Sequence, residues 1–95
     1  AVLAELQSDI LAYRHYLTAE RGMAENTVLA YGRDLAKFVE WAALVQLPDY
    51  LAPTLKDLGR YIGYLTDLGL AAPSVARHVV SLRMFYRFLR LEERA

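Results

Sequence analysis

The fold is decided by residues 23–38, MAENTVLAYGRDLAKF. Apolar side chains recur in and just after this stretch at intervals of three and four residues, which places them on one face of a helix. The residues on this spacing are Val28, Tyr31, Leu35, Phe38 and Ala42. The pattern predicts an amphipathic helix from about Glu25 to Leu44.

The same periodicity extends in both directions along the chain and predicts three further helices. Helix 1 is predicted from about Val2 to Glu20, where Arg21-Gly22 supplies a stop. Two prolines within residues 47–53 make that segment a loop. Helix 3 opens at Thr54, which has Asp57 three residues later as in a capping box, and it ends at Gly69. Helix 4 opens around Ala72-Pro73-Ser74 and runs to about Arg90.

The predicted fold class is therefore all-α, a compact four-helix bundle. The inward positions of the other helices are Leu3, Leu6, Ile10, Tyr13 and Leu17; Leu55, Leu58, Ile62 and Leu65; and Val75, Val79, Leu82, Tyr86 and Leu89. Gly59 and Gly63 interrupt helix 3, either because another helix approaches closely or because this surface helix has mediocre helix propensity.

Composition narrows the class of protein. The 95 residues, 56% of them hydrophobic, suit one domain spanning 1–95. Cysteine is absent, which excludes disulfides and cysteine-based zinc sites. The start of the chain has no basic leader, and no apolar run approaches the ~20 residues that span a bilayer. We expect a cytoplasmic protein that has no membrane partner.

Charge alone gives little support for a nucleic-acid partner, because eleven basic and eleven acidic residues cancel. The distribution is uneven, however. Residues 1–71 carry six Lys/Arg and nine Asp/Glu, a balance of −3, whereas residues 72–95 carry five Arg and two Glu, a balance of +3. One end of the domain can therefore present a local positive field.

Groups for catalysis are scarce. His15 and His78 are the only histidines, and His15 has no second ligand at helical spacing that could complete a metal pair. Neither a phosphate-binding glycine loop nor a nucleophile motif occurs, and the tyrosines on the apolar stripes suit packing. We expect no catalytic residue, metal, cofactor or small-molecule ligand in this chain, which is then not an enzyme by itself.

Two segments carry a family resemblance. Residues 23–35, MAENTVLAYGRDL, followed by Phe38, closely resemble the second helix of the core-binding domain in Xer-type tyrosine recombinases and phage integrases. There a small residue precedes Glu-Asn-Thr, and Tyr, Arg-Asp-Leu and an aromatic residue follow. Residues 74–89, SVARHVVSLRMFYRFL, resemble the fourth helix of that domain. The resemblance extends over essentially the whole chain and implies the SAM-like N-terminal fold.

The resemblance also implies a function. In this family the core-binding domain grips duplex DNA in the major groove as one half of a clamp, and a C-terminal catalytic domain in cis forms the other half. Four protomers assemble as a tetramer on two recombining DNA sites. The nucleophile belongs to the catalytic domain, which we expect to be absent from these 95 residues. DNA recombination and DNA integration are the implied processes.

The resemblance implies that helices 2 and 4 contact DNA, and their polar residues give a predicted site. On helix 2, four positions spaced i, i+4, i+7 and i+11 form one ridge opposite the apolar stripe, and Thr27 lies in the first turn. Arg77 is the best candidate on helix 4, because its fork suits phosphate or guanine. His78 suits either a phosphate contact or a solvated role. The predicted DNA-binding residues are Asn26, Thr27, Ala30, Arg33, Lys37, Ser74, Arg77, His78, Ser81 and Arg83.

The sequence departs from the family pattern at Gly32, where arginine is frequent, and at Ala24, where a serine cap is usual. The missing arginine at position 32 and the zero net charge predict weak DNA binding by the domain alone. The missing serine cap predicts a cost to helix 2 of about 1 kcal/mol.

An alternative from another class is a helical protein-protein interaction module without DNA binding. Apolar residues beyond the needs of the core predict a surface for a sister protomer or the catalytic domain. They are Leu44, Val45, Leu47, Leu51 and Leu70.

Overall fold

A computed structural model describes residues 2–94 of the chain and contains four helices within them. They are α1 (Val2–Ala19), α2 (Glu25–Val45), α3 (Leu55–Asp67) and α4 (Ala72–Leu91). Both α1 and α3 pack against α2 and α4, and α2 also packs against α4. The all-α fold class is confirmed, and the boundaries agree closely with those predicted. None of these helices is long and apolar enough to cross a membrane.

Aromatic residues make up seven of the sixteen buried hydrophobic side chains within residues 2–94, and two groups of their rings join helices. The ring of Tyr13 in α1 lies 5.6 Å from that of Phe85 and 5.3 Å from that of Phe88, both in α4. The ring of Tyr61 in α3 lies 5.4 Å from those of Phe38 and Trp41 in α2. Such edge and tilted contacts stabilise the packing beyond the apolar area that they bury. The first group joins α1 to α4, and the second joins α2 to α3.

Two predicted inward positions are wrong. Leu3 is 37% exposed and Leu55 is 88% exposed. Both lie in the first turn of their helix. The periodic pattern includes these positions, but no other helix of the described part of the chain covers this end of either helix. Gly59 and Gly63 do not mark a close approach, because a Cβ atom added at either glycine would have no neighbour within 4 Å.

The helix ends follow one rule, because a residue of left-handed backbone conformation follows each helix. Gly22 (φ 61°) and Gly69 (φ 91°) stop α1 and α3 as predicted, whereas Gln46 (φ 52°) and Glu93 (φ 56°) serve α2 and α4 without being glycine. After α2, the backbone N–H of Leu47 donates to the carbonyl of Ala42 (3.0 Å), as in a Schellman motif.

That turn carries Leu47 into the core, where it is 7% exposed. The prediction that Leu47 belongs to a partner surface is therefore wrong. The connection between α2 and α3 is anchored there and again at Tyr50, which is 1% exposed. The Tyr50 hydroxyl donates to Asp9 in α1, and the Tyr50 carbonyl accepts from the hydroxyl of Tyr86 in α4.

The segment after α4 returns to α1. The Arg94 guanidinium donates through Nε and Nη2 to the two carboxylate oxygens of Asp9, at 3.1 and 2.8 Å. The backbone N–H of Arg94 also donates to the carbonyl of Leu89. Asp9 therefore joins α1, the α2–α3 connection and the residues that follow α4.

The helix starts differ in how they are capped. The predicted capping box of α3 is confirmed: the Thr54 hydroxyl accepts from the backbone N–H of Asp57, and the Asp57 carboxylate accepts from that of Thr54, both at 3.0 Å. At the start of α2, Ala24 has extended backbone and no side-chain cap.

Candidate nucleic-acid interface

The polar surfaces of α2 and α4 meet at a buried carboxylate. Asp34 lies in the middle of α2, and its side chain is 2% exposed. Its Oδ2 accepts from the hydroxyl of Ser81 (2.7 Å) and from Nε of Arg77 (3.2 Å). Its Oδ1 accepts from Nη2 of Arg77 (2.8 Å). Burying a carboxylate is expensive unless it is paired and hydrogen-bonded, and here both oxygens have partners.

His78 completes the surroundings of Asp34. Its Nε2 lies 3.5 Å from Oδ1 of Asp34, and its Nδ1 lies 2.8 Å from the backbone carbonyl of Ser74. Because a carbonyl only accepts, Nδ1 carries the proton that it donates to Ser74. The negative charge of Asp34 also affects Tyr61 in the core. The pKa of Tyr61 is raised chiefly by burial and then by its repulsion from the Asp34 carboxylate.

The prediction that His78 and Ser81 lie on the polar side of α4 is wrong. His78 is 7% exposed and Ser81 is 1% exposed. Both side chains turn toward α2, because Asp34 gives their polar atoms a partner inside the bundle. Buried side chains of this kind offer almost no area to a ligand, so the predicted DNA-binding set loses these two residues.

The Arg77 side chain of α4 reaches α2 at the residue that follows Arg33. Although it contacts Asp34 there, 62% of the Arg77 side chain remains exposed. Arg33 is exposed as well. The structure therefore brings the main predicted cation of α4 to the stretch of α2 that carries the polar ridge.

The remaining α2 residues of the predicted site differ in accessibility. Asn26 and Thr27 are exposed, and Ala30 is half-buried. Lys37 pairs with Glu40 one turn later, at 3.2 Å between Nζ and Oε2. This exposed pair contributes less than about 1 kcal/mol, so Lys37 can exchange Glu40 for another anion at little cost.

Arg83 lies in different surroundings. Six residues after Arg77, it is turned about 120° from Arg77 around the axis of α4. With Arg90 it lines a groove of about 450 Å³, between α4, α3 and the preceding loop, whose other walls include Trp41, Tyr61 and Tyr86. Ser74, at the start of α4, is half-buried. The structure thus brings Arg77 to Asp34 of α2, whereas Arg83 lines a separate groove.

Sequence reasoning missed Asp34, which organises the whole arrangement. A charged residue next to an apolar stripe is normally solvated. The position of Asp34 between Tyr31 and Phe38 on that stripe was the one sequence feature that indicated burial. Within residues 2–94, no cluster of His, Asp and Glu could hold a metal ion.

Comparison with known proteins gives one family. Residues 10–93 match the family described as phage integrase, N-terminal SAM-like domain. The chain is 40% identical over 81 residues to tyrosine recombinase XerC of Pediococcus pentosaceus, which covers 84% of this chain and 27% of that protein. It is 36% identical over 78 residues to tyrosine recombinase XerD of Listeria monocytogenes, covering 81% of this chain and 26% of that protein.

A third relative, tyrosine recombinase XerD of Halalkalibacterium halodurans, is 29% identical over 89 residues, covering 93% of this chain and 30% of that protein. The chain therefore spans less than a third of the length of these curated relatives. No solved structure gives a significant match.

Proposed function

Because the chain belongs to the family of phage integrase N-terminal SAM-like domains, we propose that it is the DNA-binding, core-binding domain of a site-specific tyrosine recombinase or integrase. It acts in the cytoplasm and grips duplex DNA in the major groove as one half of a clamp. The other half is a catalytic domain outside these 95 residues, and that domain carries out the cutting and rejoining of DNA. The relatives are named tyrosine recombinases, which supports this assignment.

One observation carries the proposal: Arg77 of α4 reaches Asp34, the residue that follows Arg33 in α2, while staying mostly exposed. Arg33, Lys37 and Arg77 contact phosphates, and the exposed Asn26 and Thr27 lie in the first turn of α2, where the helix dipole favours an anion. The small side chain of Ala30 leaves space on this ridge for the DNA backbone to approach. Ser74 contacts DNA beside these residues, and Arg83, turned about 120° from Arg77 around α4, contacts a further phosphate.

The proposed binding by the isolated domain is weak. The net charge is zero, and two of the three main cations already have carboxylate partners, Lys37 with Glu40 and Arg77 with Asp34. Linking two DNA-binding halves on one chain raises their effective concentration, and a tetramer multiplies the effect. Most of the affinity of a full recombinase therefore comes from the clamp and the assembly.

The salt dependence of DNA binding tests the proposal. A protein that contacts about four phosphates loses affinity with a log-log slope of roughly −3 to −4 as salt rises. The Arg33→Gln substitution should make this slope shallower by about 1. Lys56→Gln, which removes an exposed cation from α3, is the matched control and should leave the slope unchanged. Absent or salt-independent binding at low ionic strength contradicts the proposal and favours a protein-protein interaction module.

A second surface suits the protein partners, which are the catalytic domain in cis and the sister protomers of a tetramer. Leu44 is 70% exposed, Val45 is 43% exposed and Leu55 is 88% exposed. Leu47 lies in the core, and Leu51 and Leu70 of the predicted surface are partly buried against it. The exposed side chains of Leu44, Val45 and Leu55 are therefore the contact residues proposed for such a partner. Size-exclusion chromatography of Leu44→Glu tests the protomer contact: elution equal to the parent at every concentration contradicts it.

A further inference from the structure

We propose that Asp34 is a positioning residue. It holds the Arg77 guanidinium by the edge of Nε and Nη2, so that the adjoining edge, formed by the two terminal nitrogens, faces outward as a fixed two-donor site for a DNA phosphate. This inference rests on the DNA binding proposed above and adds the device that orients its main contact.

The hydrogen bonds of Arg77 define the two edges. A planar guanidinium has five N–H donors in a fixed arrangement. Asp34 accepts one from Nε and one from Nη2, at 3.2 and 2.8 Å. The three remaining donors include one N–H on each terminal nitrogen, and these two run parallel along the adjoining edge. Arg77 makes no other side-chain hydrogen bond within residues 2–94, and 62% of its side chain is exposed.

The Asp34 carboxylate that holds Arg77 is rigid because it is buried. Asp34 is 2% exposed on its side chain and lies among packed residues of α2 and α4. The Ser81 hydroxyl, itself 1% exposed, fixes the carboxylate through a 2.7 Å hydrogen bond. A long side chain normally loses rotamer freedom when it binds, which weakens the contact. Arg77 has already lost much of that freedom, so its outer edge binds a phosphate at lower entropic cost.

The orientation and the charge of Arg77 have separable effects. Because the Asp34 carboxylate cancels the Arg77 charge at a distance, Arg77 contributes little to long-range attraction of DNA. Its contribution comes at contact, where a guanidinium edge matches two phosphate oxygens. Lysine retains the charge but has no second edge, so the Arg77→Lys substitution removes the device and leaves the net charge unchanged.

Arg87 provides a matched control on the same helix. It is also an exposed arginine, and among the described residues its side chain makes no hydrogen bond or ion pair. If orientation is the source of the effect, Arg87→Lys should change the Kd for a short DNA duplex by less than about twofold. Arg77→Lys should weaken binding by at least about tenfold, the equivalent of losing one charge-assisted hydrogen bond.

Proton exchange gives a measurement that needs no DNA. In the unsubstituted chain, the Nε–H of Arg77 should exchange with water much more slowly than that of Arg33, because Asp34 covers it. Adding duplex DNA should shift the Nη resonances of Arg77 while its Nε–H stays protected. This measurement uses the natural sequence, so it stands even if Arg77→Lys fails to fold.

The outcomes separate the two proposals. Equal Kd changes in the two lysine variants, or equal exchange of the two Nε–H groups, overturn the positioning role and leave DNA binding standing. Failure of the unsubstituted chain to bind duplex at low salt overturns the DNA-binding function, and the Arg77 phosphate contact with it, even if the Nε–H is protected. Slow Nε–H exchange together with a selective loss in Arg77→Lys supports both.

Discussion

Replacing Ser81 with alanine tests whether Asp34 holds α2 and α4 together. The Ser81 hydroxyl is buried and donates to the ionised carboxylate over 2.7 Å. A hydrogen bond to a charged group contributes about 1.5–3 kcal/mol, and its loss leaves a buried acceptor short of one partner. We therefore expect Ser81→Ala to lower the free energy of unfolding by about 2 kcal/mol. For a domain of this size, that corresponds to a Tm lower by about 8–16 °C.

Urea unfolding followed by far-UV circular dichroism provides the assay. Ser74→Ala is the matched control, since Ser74 lies on the same helix and its hydroxyl makes no hydrogen bond within the described part of the chain. It should change stability by less than about 0.5 kcal/mol. In an Asp34→Asn background, the cost of Ser81→Ala should fall by about half, because neutral hydrogen bonds are about half as strong as charge-assisted ones. A cost unchanged by Asp34→Asn would refute the reasoning.

Three further predictions concern stability. Tyr13 is buried and its hydroxyl has no hydrogen-bond partner among the described residues, so Tyr13→Phe should stabilise the fold by about 1 kcal/mol in thermal unfolding at neutral pH. Burial also raises the pKa of Tyr13 to about 12. Tyr13 therefore makes no pH-dependent contribution to stability below pH 10, and it lowers stability as the pH rises to 12. Tyr13→Phe should flatten that alkaline decline in a pH titration of stability; an equally steep decline contradicts this. Gly59→Ala and Gly63→Ala should each raise the free energy of unfolding by about 1 kcal/mol, seen as a higher urea midpoint, because a Cβ at either position meets no atom within 4 Å. Destabilisation by either substitution would show that the space is not free. Ala24→Ser should add the missing cap of α2 and about 1 kcal/mol of thermal stability, whereas Ala24→Val, which cannot cap, should add none.

Local chemistry explains why the helices could be predicted from the sequence. The apolar spacing located all four helices, the Thr54–Asp57 pair located the start of α3, and Gly22 and Gly69 located two ends. Gln46 could not be predicted as the end of α2, because glutamine has no intrinsic preference for the left-handed backbone conformation. The burial of the next residue, Leu47, accounts for that conformation instead. Such positions cost about 1 kcal/mol or more and are kept only when tertiary contacts compensate.

The candidate site was predictable only in part, because burial of a polar group depends on its partners. The exposure of Asn26, Thr27 and Arg33 follows from helix periodicity. The burial of His78 and Ser81 follows from Asp34 on another helix, more than forty positions away along the chain. Periodicity within one helix carries no information about such a partner.

The same limit applies to Gly32. From the sequence, glycine at this position indicated the loss of a positive charge that the family usually has. A Cβ atom built on Gly32, however, would lie 3.2 Å from Nε of Arg14. The arginine of α1 therefore already occupies the surface over this position of α2.

The contact between Arg94 and Asp9 determines how the domain bears mechanical load. A pull on the carboxyl side of α4 would not peel that helix away turn by turn, because the guanidinium passes the tension through Asp9 into α1 and through Tyr50 into the connection between α2 and α3. The first event under force is then the separation of this two-point contact, before any turn of α4 unwinds. Anything tethered beyond residue 94 would pull on the whole bundle at once.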